Sequence, residues 1–153
     1  MSNLDIRNFT RSAAPVFPFK EAAAKVLPDW DISLVFAGEQ RAQSLNMTLR
    51  GKEYIPNVLS YETGRKSGEI IICPRVARRQ APSYDLSYRA MVGFLFIHGL
   101  LHLKGLRHGA TMDRQEREVL SQFIGVTVSD GTTHRNRNRH RDASHEDRRG
   151  RGG

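Results

Sequence analysis

The stretch that organises this chain lies at residues 96–108 and reads Phe96-Ile97-His98-Gly99-Leu100-Leu101-His102-Leu103-Lys104-Gly105-Leu106-Arg107-His108. Residues four apart lie on one face of a helix, so a helix through this stretch points His98 and His102 in the same direction. Gly105 suits a helix C-cap, because glycine takes the left-handed conformation that reverses the chain, and the reversal swings His108 toward the other two. Three neutral imidazoles that converge, with a fourth position open to water, are typical of a catalytic zinc site.

The spacing of these histidines is that of a metallopeptidase motif, H-E-x-x-H-x-x-G-x-x-H, in which the glutamate is the general base. This chain keeps the three histidines and the turn glycine but has Gly99 in place of the glutamate. The motif therefore predicts metal-assisted hydrolysis of a substrate other than a peptide. The plain alternative is three unrelated histidines in a buried helix and its cap.

Length and composition indicate one domain with a substantial core, since the chain has 153 residues of which 39% are hydrophobic. Cys73 is the only cysteine, which excludes an intramolecular disulfide and fits a reducing compartment. The N-terminus lacks the basic and then apolar pattern of a signal peptide. The uncharged run at 90–103 is too short to span a bilayer. We therefore expect a cytoplasmic protein without membrane association.

The positive charge is shared between the body of the chain and its C-terminal end. Of the formal net charge of +8, residues 131–153 contribute +4, from seven arginines and three acidic residues, and residues 1–130 carry the other +4. The end segment has no apolar periodicity, so we predict a domain at 1–130 and a disordered arginine-rich tail at 131–153. A basic surface suits a polyanionic partner, nucleic acid first, although a merely solvated surface is the plain alternative.

Hydrophobic periodicity predicts alternating strands and helices along the first half of the chain, followed by helices. The strands are predicted at 4–10, 31–36, 57–61 and 69–73, and the helices at 19–27, 39–49, after Pro74, at about 84–103 and at 112–123. This order predicts a single α+β (or α/β) domain, with a small mixed β-sheet packed with helices. The histidine-bearing helix has little polar face, so we expect it to be buried against the sheet.

A second motif precedes the third predicted strand. Residues 44–53 end a helix in a basic turn that contains Arg50, which by itself is typical of a C-terminal cap favoured by the helix dipole. Together the two motifs resemble the YbeY family, bacterial endoribonucleases of ribosomal RNA maturation. The matching segments cover about residues 31–125 and are Leu45-Asn46, Arg50-Gly51-Lys52, Asn57-Val58-Leu59-Ser60-Tyr61, Gly68-Glu69-Ile70 and the histidine run.

The resemblance implies one divalent metal, zinc, held by the three histidines of the run, and a catalytic arginine at Arg50 facing the metal cleft. It implies a single-strand-specific endoribonuclease that acts in 16S rRNA 3′-end maturation and ribosome quality control, with components of the small ribosomal subunit as partners. The chain departs from the family pattern in three places. Arg107 stands where the family has aspartate, Ile55-Pro56 replaces Pro-Thr, and the arginine-rich tail has no counterpart.

Three functions are compatible with these sequence features. In a metal-dependent endoribonuclease, Arg50 stabilises the extra negative charge of a pentacoordinate phosphate. Its general base is left open among Glu69, Asp113 and Glu116, for each of which a surface or packing role is the plain interpretation. A non-catalytic RNA-binding assembly factor with a structural metal is the first alternative, and a fourth protein ligand would favour it. A zinc metallopeptidase is the second, and Gly99 disfavours it.

Overall fold

The computed structural model describes residues 3–124, so the predicted tail at 131–153 lies outside the described residues, and the boundary after residue 130 stays a prediction. The described residues form four strands and five helices, and a 3-10 turn lies at Ala81–Tyr84. In chain order the elements are β1 (Asn3–Asn8), α1 (Phe19–Val26), β2 (Asp31–Phe36), α2 (Glu39–Arg50), β3 (Val58–Gly64), β4 (Ser67–Ile72), α3 (Pro74–Gln80), α4 (Tyr88–Lys104) and α5 (Ala110–Ile124). The predicted α+β domain is confirmed.

The sheet is mixed, with the strand order β1-β2-β4-β3. The pairs β1–β2 and β2–β4 are parallel, and β3 runs antiparallel to β4. Strand β4 is central and carries three consecutive isoleucines that are almost completely buried, because both faces of the sheet are covered there. Strand β3 joins β4 through a tight turn in which Lys66 has a φ of 52°. Strands β1 and β3 are the two edge strands of the sheet.

The two faces of the sheet pack against different helices. Leu34, Ile70 and Ile72 belong to the main core, to which α1 and α4 also contribute. The residues that alternate with them, Val35 and Ile71, form a smaller cluster on which Leu45 of α2 packs. Since neighbouring side chains of a strand point to opposite faces, α2 and α4 lie on opposite sides of the sheet.

Helix α4 is the buried helix that the sequence predicts, but it begins four residues later than expected. The 3-10 turn ends at Asp85, which has a left-handed φ of 57°. The Ser87 hydroxyl then caps the helix by accepting a hydrogen bond of 3.1 Å from the Ala90 backbone N–H. At the other end, Gly105 has a φ of 112°, so the predicted glycine turn is confirmed.

Among residues 3–124, no single helix has the length and hydropathy to cross a membrane. The segments Pro74–Tyr84 and Tyr88–Lys104 meet that test only as a pair, and they are bent by 105° relative to each other. Since nearly all of α4 is buried inside the domain, its apolar character is that of a core helix.

Candidate metal centre

The structure brings the three predicted metal ligands together. His98 and His102 lie one turn apart on α4, and His108 follows the turn at Gly105. One ligand nitrogen from each ring lies within 4.8 Å of the other two. The ring centroids are 4.6 Å apart for His98 and His102, 5.1 Å for His98 and His108, and 4.7 Å for His102 and His108. Three imidazole nitrogens grouped this closely could hold a divalent ion, so the donor set suits a metal.

The cluster has a buried side and an accessible side. His98 is only 9% exposed, whereas His102 and His108 are half-buried. Within the described part of the chain, the residues grouped closely enough to hold an ion are these three. An ion held tetrahedrally by these three residues would keep one further position for water or substrate.

His102 is held in the form that binds metal. Its burial, followed by the neighbouring His98 and His108, lowers the pKa of His102 to about 4, so this imidazole is neutral at pH 7. Its Nδ1 lies 3.2 Å from the Leu106 carbonyl oxygen. This acceptor assigns the proton of the neutral ring to Nδ1 and leaves the Nε2 lone pair for a metal.

Packing explains why glycine stands at position 99. A Cβ atom at Gly99 would lie 3.1–3.3 Å from three side-chain carbons of Ile70, which is closer than ordinary van der Waals contact. The helix therefore lies directly on β4 at this point. A glutamate at position 99 would begin inside the contact between helix and sheet, so the Ile70 side chain would have to give way by a few tenths of an ångström to accommodate the peptidase's general base.

We expect Gly99→Glu, which restores the peptidase motif, to destabilise the domain and to add no peptidase activity. Overpacking a core contact costs about 1–3 kcal/mol, before the cost of the introduced carboxylate is added. Thermal melts and a peptide-cleavage assay measure the two effects. A Gly99→Glu variant with the melting temperature of the wild type would contradict the packing explanation.

Gly99→Ala and Ile70→Val form the matched control, because valine lacks the Cδ1 atom that lies 3.2 Å from the added Cβ. The loss of stability in Gly99→Ala should be smaller in the Ile70→Val background than in wild type. Additive losses in this double-mutant cycle would mean that the Cδ1 atom of Ile70 is not the obstacle.

Arg50 is the last residue of α2 and is half-buried. Gly51 follows it with a φ of 70°, and the Gly51 backbone N–H donates to the carbonyls of Asn46 and Met47 at the end of the helix. The loop at 51–57 then leads to β3, the edge strand that packs along α4. Arg50 thus stands at the end of α2, where the loop that leads to β3 begins. Its predicted catalytic role stays a prediction.

The loop that follows Arg50 is anchored at several points. Asn46 is fully buried, and its Nδ2 donates to the Tyr54 carbonyl at 2.9 Å. Gln43 Nε2 donates to the Glu53 carbonyl at 2.6 Å, and Asn57 Nδ2 donates to Gln80 Oε1 at 2.9 Å. Sequence reasoning used Asn46 only as part of a motif. A polar residue on the apolar side of a helix, just before a glycine turn, is the signal that would have indicated this anchoring role.

The three acidic residues considered as general bases lie in different environments. Glu69 accepts a hydrogen bond from the Tyr61 hydroxyl, and burial raises the pKa of the Glu69 carboxyl while nearby Arg7 opposes the shift. It alternates with Ile70, so it points away from α4. Asp113 is half-buried in the first turn of α5. Glu116 is 1% exposed, and its Oε2 contacts His98 Nδ1, so this carboxyl oxygen is directed at the His98 ring.

Comparison with known proteins is consistent with this site. The family model described as endoribonuclease YbeY matches residues 2–124. The endoribonuclease YbeY of Bdellovibrio bacteriovorus is 37% identical over 95 residues, which cover 61% of this chain and 61% of that protein. That of Aromatoleum aromaticum is 31% identical over 124 residues, covering 79% and 80%. The solution structure of TM1509 from Thermotoga maritima superposes with a TM-score of 0.59 at 20% identity, covering 78% of this chain and 87% of that one, and supports the fold.

Proposed function

Since the chain belongs to the endoribonuclease YbeY family, we propose that it is a metal-dependent endoribonuclease that acts in ribosomal RNA maturation. The observation that carries the metal dependence is the convergence of three imidazole nitrogens within 4.8 Å at a partly accessible site. The finer parts of the proposal are zinc as the ion, single-stranded RNA near the 16S 3′ end as the substrate, and small-subunit components as partners. The proposal also includes a cytoplasmic location, because the single cysteine, Cys73, suits a reducing compartment.

The histidines and Arg50 have different roles in this proposal, metal binding and charge stabilisation respectively. His98, His102 and His108 hold the ion, which when bound polarises a phosphoryl oxygen and lowers the pKa of water to about 7. His98 and His102 would present Nε2 to the ion, because the Nδ1 atom of each already has a hydrogen-bond partner. Arg50 donates hydrogen bonds to phosphate oxygens as negative charge develops on them.

Two observations argue against the alternative functions. A structural zinc site is normally closed by four protein ligands, whereas the group formed within residues 3–124 has three members. A peptidase needs a carboxylate at position 99, where Gly99 packs against Ile70. The site therefore supports hydrolysis of RNA better than a structural metal or peptide cleavage.

Single-turnover cleavage of end-labelled RNA tests the proposal. We expect internal cuts in a single-stranded substrate that carries a 16S 3′-end sequence, and protection of the same sequence in a duplex. Removal of metal by chelation should abolish cleavage, and zinc should restore it. A protein that binds this RNA and holds zinc but never cuts would support the assembly-factor alternative instead.

The basic tail provides a separate prediction about RNA affinity. Truncation after Asp130 removes seven arginines and should weaken binding of single-stranded RNA. The slope of log affinity against log salt should flatten by about 0.7 for each phosphate contact that is lost. The melting temperature should stay the same, since the segment lacks core residues in its sequence. Binding isotherms at several salt concentrations measure the effect.

A full-length variant with the seven tail arginines replaced by glutamine is the matched control, because it removes the charge and keeps the length. Its RNA affinity, salt slope and melting temperature should match those of the truncated protein. Unchanged affinity and salt slope after truncation would contradict the role in binding, and a large fall in melting temperature would contradict the predicted domain boundary.

A further inference from the structure

A buried carboxylate lies directly behind the histidine cluster. We propose that Glu116 is a positioning residue that fixes the tautomer and ring orientation of His98, so that the Nε2 atom of His98 faces the metal. This inference rests on the metal site of the proposed function. It assigns to Glu116 a role other than that of a general base.

The hydrogen bond between the two side chains carries the inference. Glu116 Oε2 and His98 Nδ1 are in direct contact, and the residues are 1% and 9% exposed. A His98 ring that binds a metal through Nε2 keeps its lone pair on that atom, so its proton lies on Nδ1, where the Glu116 carboxylate oxygen is placed to accept it. The ring then has one orientation in which Nδ1 meets Glu116 and the opposite edge is directed to the other histidines.

The position of Glu116 on α5 gives an independent reason to expect a function. The buried residues of this helix are Met112, Glu116, Val119 and Leu120, which form one face at helical spacing. Three are apolar, and packing alone would be served by a fourth apolar residue. Burying a carboxylate is unfavourable unless a strong donor meets it, and the hydrogen bond with His98 offsets this cost of having glutamate in the row.

The same arrangement affects how strongly His98 binds an ion. A charged acceptor at Nδ1–H increases the electron density at Nε2 and restricts rotation of the ring, and loss of such a partner typically lowers metal affinity by about 10–100-fold. His102 has the neutral carbonyl of Leu106 in the equivalent place, at 3.2 Å. Two of the three ligands are thus held in the same tautomer by two different acceptors.

Glu116→Gln tests the proposal, with Glu118→Gln as the matched control. Glu118 lies two residues further along the same helix, and its side chain is exposed. Both changes remove one negative charge, but only the first changes the contact with His98. We expect the dissociation constant for zinc, measured by competition with a chelator, to rise by about 10–100-fold in Glu116→Gln and to stay at the wild-type value in Glu118→Gln.

The melting temperature of each metal-free protein separates a site effect from a folding effect. A second measurement decides the matter if Glu116→Gln does not fold. Ring nitrogen NMR of the metal-free wild-type protein should show the His98 proton on Nδ1. A proton on Nε2, or wild-type zinc affinity in a folded Glu116→Gln protein, would overturn the proposal. Neither experiment involves RNA, so a protein with this tautomer and zinc affinity that fails to cleave RNA would refute only the proposed activity.

Discussion

Replacing His102 by alanine should remove the bound metal and, with it, all metal-dependent RNA cleavage. The three ring centroids form a triangle with sides of 4.6, 4.7 and 5.1 Å, and without His102 the remaining pair cannot enclose an ion from three sides. Metal analysis of purified protein by mass spectrometry should find one divalent ion per wild-type chain and close to none in His102→Ala. Single-turnover assays of the same preparations should show cleavage only by the wild type.

The histidines of the C-terminal segment allow a matched control. His140→Ala removes an imidazole from residues 125–153 and should leave both the metal content and the cleavage rate at wild-type values. The His102 ring also makes a hydrogen bond with the Leu106 carbonyl, whose loss costs about 1 kcal/mol. The melting temperatures of both metal-free proteins measure this loss of stability separately from the loss of metal. Equal metal in wild type and His102→Ala, or none in either, would exclude the site.

Arg50→Ala should lower the rate of RNA cleavage by about 10²–10³-fold, the usual effect of losing one donor that stabilises transition-state charge. The fold and the metal content should remain. If Arg50 were only a cap at the C-terminus of α2, the same change would cost a few tenths to about 1 kcal/mol of stability and leave cleavage intact. The two interpretations therefore predict opposite patterns in the melting curve and the rate.

Two further variants sharpen this test. Arg50→Lys should recover only part of the rate, because an ammonium group cannot present the planar fork that reaches two phosphate oxygens. Arg41→Ala removes the same charge from the same helix, where the guanidinium stacks 4.6 Å from the centre of the Phe9 ring, and it should leave the rate unchanged. His102→Ala protein prepared in parallel measures contaminating nuclease. Cleavage by Arg50→Ala within about threefold of wild type would refute the catalytic role.

The sequence alone was sufficient for the features that depend on neighbours along the chain. The four-residue spacing of His98 and His102 places both rings on one helix face, whatever the helix packs against. Gly105 turns the chain because only glycine takes a φ of 112° readily, and this brings His108 back to the pair. The periodicity of the apolar residues likewise predicted the order of the strands and helices, and the buried character of α4, before any contact was known.

Tertiary packing decided the features that depend on residues far apart in sequence. From the sequence, three acidic residues were equivalent candidates for the general base. In the structure their surroundings differ, because Glu69 is on the α2 face of the sheet, where it contacts Tyr61, and Glu116 contacts His98. From the sequence, Gly99 indicated only that the catalytic glutamate of the peptidase motif is absent. The close contact between Gly99 and Ile70, which explains the glycine, depends on the packing of α4 on β4. The local pattern determines which way a side chain points relative to its own helix or strand, whereas its partner is set by how the elements pack together.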